Sequence, residues 1–307
     1  MDISLRFKIV ADKLKEGTDK AEKLKSCIHS GNAGDIIYSL PALKTLGAEH
    51  FIMNASNAPG FGARFLDEKT ALSLMPLLLS QSYIKRVTVV FMHNPFPPYF
   101  KTENGILMVT PLPLEYMDGY LTEVDFILDK FRLTDTDNNH LILSYAQAFG
   151  LSLNPAEKWL FVEDTNIDRK ISKDEKYKTA DTTIVLALTP RYRSKNKDFW
   201  VAALEDFKDK CNITAVGVKN DFECISSITD NFITCRDFLE LAEIINEADL
   251  FIGNPSMPYA VAEGLKVPRL VEIPDFPKNA YPLGEKGYIA PESVEDTKRI
   301  IYNVLNK

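Results

Sequence analysis

The sequence predicts an α/β chain of two Rossmann-like domains, each a parallel sheet covered by helices on both faces. Three observations carry this. Short apolar, β-branched runs alternate with helical runs over residues 24–91, and the same alternation returns over 182–273. At this interval, strands and helices alternating imply a parallel sheet with crossover helices. Between the two series lies DTNIDRKISKDEKYKTADT, polar and charged over nearly its whole length, which reads as a linker. The expected division is therefore a first domain at 1–163, a linker at 164–180 and a second domain at 181–290. A last helix at 291–307 is expected to pack back toward the first domain. The length of 307 residues suits two domains of about 100–200 residues each. Two such sheets facing each other leave a cleft at the carboxyl ends of their strands, where open α/β sheets place ligands.

In chain order, residues 4–20 read as a helix. An apolar strand from Leu24 to His29 then enters the turn GNAGD, and a helix follows over 36–46, with Pro41 expected to kink it. HFIMNA (50–55) and RVTVVF (86–91) read as strands on either side of the helix DEKTALSLMPLLLSQ. HNPFPPYF (93–100) reads as a surface connection. Residues 124–150 read as mostly helical, from His140, Leu143, Ala146 and Phe149 at helical spacing, and an extended segment leaves them.

The second series is cleaner. TTIVLAL, ITAVGV, ITC, DLFIG and RLVEI are the strands. The helices are KDFWVAALEDFKDK, a stretch around 220–228, DFLELAEIINEA, SMPYAVAEGLK and, at the end, VEDTKRIIYNVL.

Composition narrows the function. A net charge of −7 argues against a whole-surface basic field for nucleic acid. No run approaches the ~18 apolar residues of a membrane span, and the charges scattered through MDISLRFKIVADKLKEG do not suit a secretory signal. The expected location is cytoplasmic, with peripheral contact at the inner face of the membrane left open. Cys27, Cys211, Cys224 and Cys235 stand apart with no CxxC, so four reduced thiols are expected and metal-ligand spacing is missing. HExxH and GxSxG are absent too, which removes the metallopeptidase and serine-hydrolase readings.

Three segments carry chemistry. In GNAGD, Gly31 and Gly34 permit positive φ and close backbone approach, with Asn32 between them. Asp35 stands where the helix begins: it reads either as an N-cap or as a general base for an acceptor hydroxyl. His29 flanks this turn and reads as structural. TPRYRSKNK is a loop between a strand and a helix, on the ligand face of the second domain. Its Arg191, Arg193, Lys195 and Lys197 are either solvated charges or a grip for a diphosphate. GNPSMPYAVAEGLKVP follows another strand, and Ser256 there is either a cap or part of an anion site made by the free N–H groups of the helix start.

Together these segments resemble the heptosyltransferases of glycosyltransferase family 9, which have the GT-B architecture. GNAGDIIYSLPALKTL is similar to that family's opening block, and GNPSMPYAVAEGLKVP to its donor-site block. LALTPRYRSKNKDFW stands where the family keeps a basic loop for the donor phosphates, and the stretch around HLILSYAQAFGLSL is more loosely similar. The resemblance implies inverting transfer of a sugar from a nucleotide-diphosphate donor to a hydroxyl-bearing, glycan-like acceptor, with no metal and no cofactor beyond the donor. Asp35 is then the base. Thr189, Arg191, Arg193, Lys195, Lys197 and Ser256 hold the diphosphate. Gly253, Asn254, Met257 and Glu263, the last as a ribose-hydroxyl partner, line the nucleotide pocket. The chain departs from the family at Pro255, where an aspartate is usual, at Met257 (glycine) and at Ala260 (histidine), which opens the choice of sugar and base. Other readings of the same scaffold are a non-catalytic binder of nucleotide sugars or of a partner protein, a nucleotide-sugar epimerase or hydrolase, and a nucleic-acid-modifying transferase.

Overall fold

The computed structural model describes residues 5–12, 24–55, 66–92, 99–103, 106–110, 124–163, 182–190, 192–217, 225–275 and 278–306. The chain divides into two compact units, Met1–Leu153 and Asn154–Lys307. The expected linker 164–180 lies outside the described residues.

The first unit opens with β1 (Leu5–Asp12), which pairs antiparallel with the later β4 (Arg86–Met92). The helix expected over 4–20 is thus a strand where it is described. Leu5, Phe7 and Ile9 alternate with Arg6 and Lys8, and that period of two is the pattern of a strand. β2 (Ser26–His29) is buried throughout and lies parallel to β3 (His50–Ala55), which lies parallel to β4. A short β7 (Phe126–Ile127) pairs parallel with β2 on its other side. The sheet therefore runs β1-β4-β3-β2-β7, while β5 (Tyr99–Glu103) and β6 (Ile106–Thr110) form a separate antiparallel hairpin.

Helix α1 (Ala33–Leu46) follows β2. Its run IIYSLPAL is apolar almost all round, and Ile36, Ile37, Tyr38, Leu40, Ala42 and Leu43 are all buried, as such a helix requires. It continues through Pro41 and ends at Gly47 in the left-handed conformation. Helix α2 (Glu68–Ser80) is capped by Asp67, which accepts from Thr70 N–H.

Residues 124–150 are less helical than their spacing predicts: β7 and a 3-10 helix (Leu128–Leu133) precede α3 (Leu141–Phe149). The polar run TDTDNN explains the gap. Asp135 takes the N–H and the side-chain amide of Asn138, a local bond that competes with helix.

The second unit holds six parallel strands: β8 (Thr183–Ala187), β9 (Asn212–Val216), β10 (Phe232–Ile233), β11 (Leu250–Gly253), β12 (Arg269–Val271) and β13 (Gly287–Ile289). Their order across the sheet is β10-β9-β8-β11-β12-β13, the doubly wound order in which the first and fourth strands lie side by side. Helices α4 (Lys197–Leu204), α5 (Phe238–Asn246), α6 (Met257–Leu265) and α7 (Val294–Leu305) accompany them. Of the helix expected around 220–228, residues 225–228 are turns and 218–224 lie outside the described residues.

The core beneath this sheet joins Ile184, Leu186, Trp200, Leu204, Ile252 and Leu270 with Ile301 of α7. Val294, Ile300, Val304 and Leu305 pack on the same cluster. The apolar stripe of the last helix, which was expected to pack back toward the first domain, contributes to the core of the second unit.

Residues 158–160 also belong to this packing, since the N–H groups of Trp159 and Leu160 both donate to the carbonyl of Gly264 in α6. A Cβ on Gly264 would lie 2.9 Å from Trp159 Nε1 and 3.0 Å from Leu160 Cβ. Gly264→Ala should gain about 1 kcal/mol of helix propensity and lose about 1–3 kcal/mol to overpacking. A net loss of stability is expected in urea denaturation; a net gain would mean that Trp159 is free to move aside.

Candidate functional site

In both units the chemistry-bearing residues collect at the carboxyl end of the sheet, between the strands that part there. In the first unit these are β2 and β7. Helix α1 starts three residues earlier than expected, so Asn32 is its N-cap and Asp35 lies inside the first turn. Asn32 makes no side-chain cap bond. The carboxylate of Asp35 accepts instead from Arg132 Nη2 at 2.8 Å, which corrects the capping alternative. With 19% of its side chain exposed, Asp35 remains open to a ligand.

Around this pair runs a buried network. Gly31 N–H donates to His29 Nδ1 at 2.8 Å, so the ring proton sits on Nε2, which donates to the Tyr145 hydroxyl at 2.6 Å. That hydroxyl donates to the main-chain carbonyl of Asp35 at 3.0 Å. Asp129, which follows β7, takes Ser30 N–H at 2.9 Å, and its other oxygen lies 3.9 Å from Arg132 Nε. The turn and the helix start are thereby tied to α3 and to the 3-10 helix. Neither Gly31 nor Gly34 has positive φ. Gly31 is required by space: a Cβ there would lie 2.6 Å from His29 Cε1 and 2.8 Å from Arg132 Nη2.

Charge and burial work against each other here. Burial disfavours the charge on Arg132, and the Asp35 and Asp129 carboxylates more than offset it, so the guanidinium is held above its usual range. Burial pushes His29 down, against the pull of Asp129 and Asp35 and with the help of Arg132.

In the second unit the site lies between β8 and β11, the topological switch point of the sheet. Asn254, fully buried, donates from its amide to the carbonyl of Thr189 at 2.8 Å. Its oxygen accepts from the Thr189 N–H at 3.4 Å and from the Thr189 hydroxyl at 3.3 Å. The loops after the two strands are thus clasped together. Gly253 is the last residue of β11, and space requires glycine there: a Cβ would meet Phe251 at 2.6 Å and the Ala187 carbonyl at 3.2 Å. Ser256 is the N-cap residue of α6, yet its hydroxyl donates to the Asn254 carbonyl at 3.1 Å and makes no cap bond. Pro258 removes one donor of that first turn. Met257 begins the helix, half-buried.

The basic loop is anchored from below by Glu272, a fully buried residue that sequence reading missed. It directly follows β12, and its Oε2 accepts from Lys195 N–H at 2.9 Å and from Trp200 Nε1–H at 3.2 Å. Burial raises Glu272 above its usual range, while those N–H groups and the charge of Arg193 oppose the shift. Nε and Nη2 of Arg193 are buried without a hydrogen-bond partner. Lys195 is buried and ion-paired with Glu292. Lys197, exposed, is the first residue of α4, and Arg191 lies outside the described residues.

Glu263 does not belong to this group. Its carboxylate is fully buried in α6 and is shared among Lys266, Arg269, the Tyr259 hydroxyl and Leu283 N–H. Expected to meet a ribose hydroxyl, it holds α6 and β12 together instead. A signal was present in EGLKVPR, where two cations follow the glutamate at three and six residues. The signals for Arg132 and Glu272 were faint: a basic residue three places after an acid in LDKFR, and one acid directly after an apolar strand in RLVEI.

Among the described residues no group of three or more His, Cys, Asp or Glu is placed to hold a metal, and no helix is long and apolar enough to cross a membrane. Among the described residues Cys27, Cys211 and Cys235 form no disulfide with one another; Cys224 lies outside the described residues.

No protein-family model matches the sequence, and curated proteins give no match either. Solved structures do. The fold is similar to that of the glycosyl transferase family 9 from Veillonella parvula DSM 2008, with a TM-score of 0.56 and 16% identity over 92% of this chain and 93% of that one. E. coli ADP-heptose lps heptosyltransferase II matches with a TM-score of 0.49 and 11% identity over 92% and 98% of the two chains. E. coli heptosyltransferase WaaC with ADP-2-deoxy-2-fluoro heptose gives 0.49 and 10% over 91% and 98%. The first of these carries the fold assignment: an α/β chain of two Rossmann-like units in the GT-B class.

The site makes a prediction about pH. His29 stays neutral in the fold, while the unfolded chain takes up a proton below about pH 6.5. The unfolded state then binds more protons, so stability falls as pH drops through that range. In His29→Gln the slope of unfolding free energy against pH between 5 and 7 should be shallower than in the parent; equal slopes would contradict a buried neutral imidazole.

Proposed function

We propose that the protein is a metal-independent, inverting glycosyltransferase that moves a sugar from a nucleotide-diphosphate donor to a hydroxyl acceptor. The observation that carries this reading is Asp35. It is a part-exposed carboxylate in the first turn of α1, its backbone fixed by Tyr145 and its side chain oriented by Arg132. A base in such a position takes the proton of the acceptor hydroxyl as its oxygen attacks the anomeric carbon. The bond from that carbon to the diphosphate breaks in the same step, on the opposite face, which inverts the centre.

The leaving diphosphate gains charge as it departs. In the second unit, Lys195, Lys197 and Arg191 with the free N–H groups at the start of α6 are the groups suited to receive it, and their charge removes the need for a cation. Thr189, Asn254 and Ser256 shape the strand-end loops where the nucleotide would lie. The likeness of fold to a family 9 glycosyltransferase supports the assignment of donor and acceptor duties to the two units. Cytoplasmic glycan assembly is the setting we infer, with a heptose as one candidate sugar.

The test starts with nucleoside diphosphates and their sugars, screened for binding by calorimetry without added metal. Transfer to glycan acceptors is then followed with the donor that binds. Asp35→Asn is expected to lower turnover by about 10²–10⁴-fold while donor affinity stays within about twofold. Donor binding without transfer in the parent, or an Asp35→Asn variant of undiminished turnover, would remove the catalytic reading and leave a binding protein.

A further inference from the structure

Two carboxylates grip the basic loop of the second unit, and they differ in one respect. Glu272 is fully buried and holds two N–H groups, so it cannot leave without exposing both. Glu292 pairs with Lys195, yet its side chain is 95% exposed while that of Lys195 is 6% exposed. It comes from the short stretch between β13 and α7, directly before the cap residue Ser293. Among the described residues Lys195 is its one ionic partner. A buried ammonium needs a counter-charge. Here the charge is supplied by a side chain that otherwise stands in water.

We propose that Glu292 is an internal stand-in for the donor's phosphate, occupying Lys195 until a diphosphate displaces it. This rests on the glycosyltransferase reading. Glu272 fixes the backbone of Lys195 from below, and the ring of Phe199 lies 5.5 Å from the Lys195 ammonium, so the lysine stays in place when its partner changes. An ion pair with one solvated partner is worth at most about a fivefold factor in an equilibrium. A phosphate group, more highly charged and with more acceptor oxygens, forms the stronger charge-assisted bond. Glu292 therefore yields to a diphosphate and resists a lone carboxylate, which makes the exchange a filter on the anion as well as a plug.

The test uses the full chain and calorimetry with ADP, UDP, GDP and inorganic pyrophosphate. Glu292→Gln should bind the preferred ligand about two- to fivefold more tightly than the parent, with little change in melting temperature because the side chain is exposed. Lys195→Met should weaken binding at least about tenfold, and the double variant should show no gain from Glu292→Gln. Glu295→Gln, a nearby exposed acid paired with Lys298, controls for a general loss of negative charge and should stay within about twofold of the parent. Ligand binding by the parent with no gain in Glu292→Gln, or an equal gain in Glu295→Gln or in the double variant, overturns the stand-in while leaving the glycosyltransferase reading intact. Absence of binding in the parent and in Glu292→Gln alike overturns both.

Discussion

Where the first and fourth strands of a parallel sheet run side by side, their connections leave toward opposite faces. The loops part, and the backbone groups at the strand ends lose their neighbours. Both units of this protein are built around such a gap, β2 beside β7 in the first and β8 beside β11 in the second. Each gap is closed by a side chain reaching across it. Asp129 takes Ser30 N–H in the first unit, and Asn254 takes and gives bonds to Thr189 in the second. The remaining polar features follow from that requirement, since the groups that close the gap also orient what faces out of it.

Charged residues in this chain sort by whether they can exchange partners. Glu263, Lys266 and Arg269 form a buried cluster whose members are committed to one another and to the backbone. Removing one would strand the others in a low-dielectric interior, the costliest way to alter a buried pair. The Asp35–Arg132 pair is part-exposed, and Lys195–Glu292 has one partner wholly in water. Only pairs of the latter kinds can trade an internal partner for a ligand at modest cost. By that measure the basic loop is a mixed structure. The charge of Arg193 acts on a buried acid, Lys195 is held by a displaceable one, and Lys197 stands exposed at the head of α4.

Much of the architecture was legible in the order of residues. Strands at 50–55, 86–91 and 182–188 and the helix at 294–305 follow from hydrophobic period, which burial enforces locally. Errors fell where a local bond or a short pairing outweighs period. Asp135 and Asn138 interrupt the helix expected before His140, and β7 and β13 are too short to leave a pattern. Residues 5–12, expected within a helix over 4–20, form β1 because they pair with β4, a partner more than 70 positions away.

The sequence by itself determined the two α/β units, the turn that delivers Asp35 and the loops that follow β8 and β11. These depend on neighbours a few residues apart, and short-range spacing records them. Tertiary structure alone decided which charges are available. Glu263 and Arg193 read as free polar groups along the chain; the fold buries Glu263 against Arg269, six positions on, and brings the charge of Arg193 to bear on Glu272, 79 positions away. Arg132 meets Asp35 across 97 positions for the same reason. Such contacts are set by how strands stack and helices pack, and sequence spacing holds only faint signs of them.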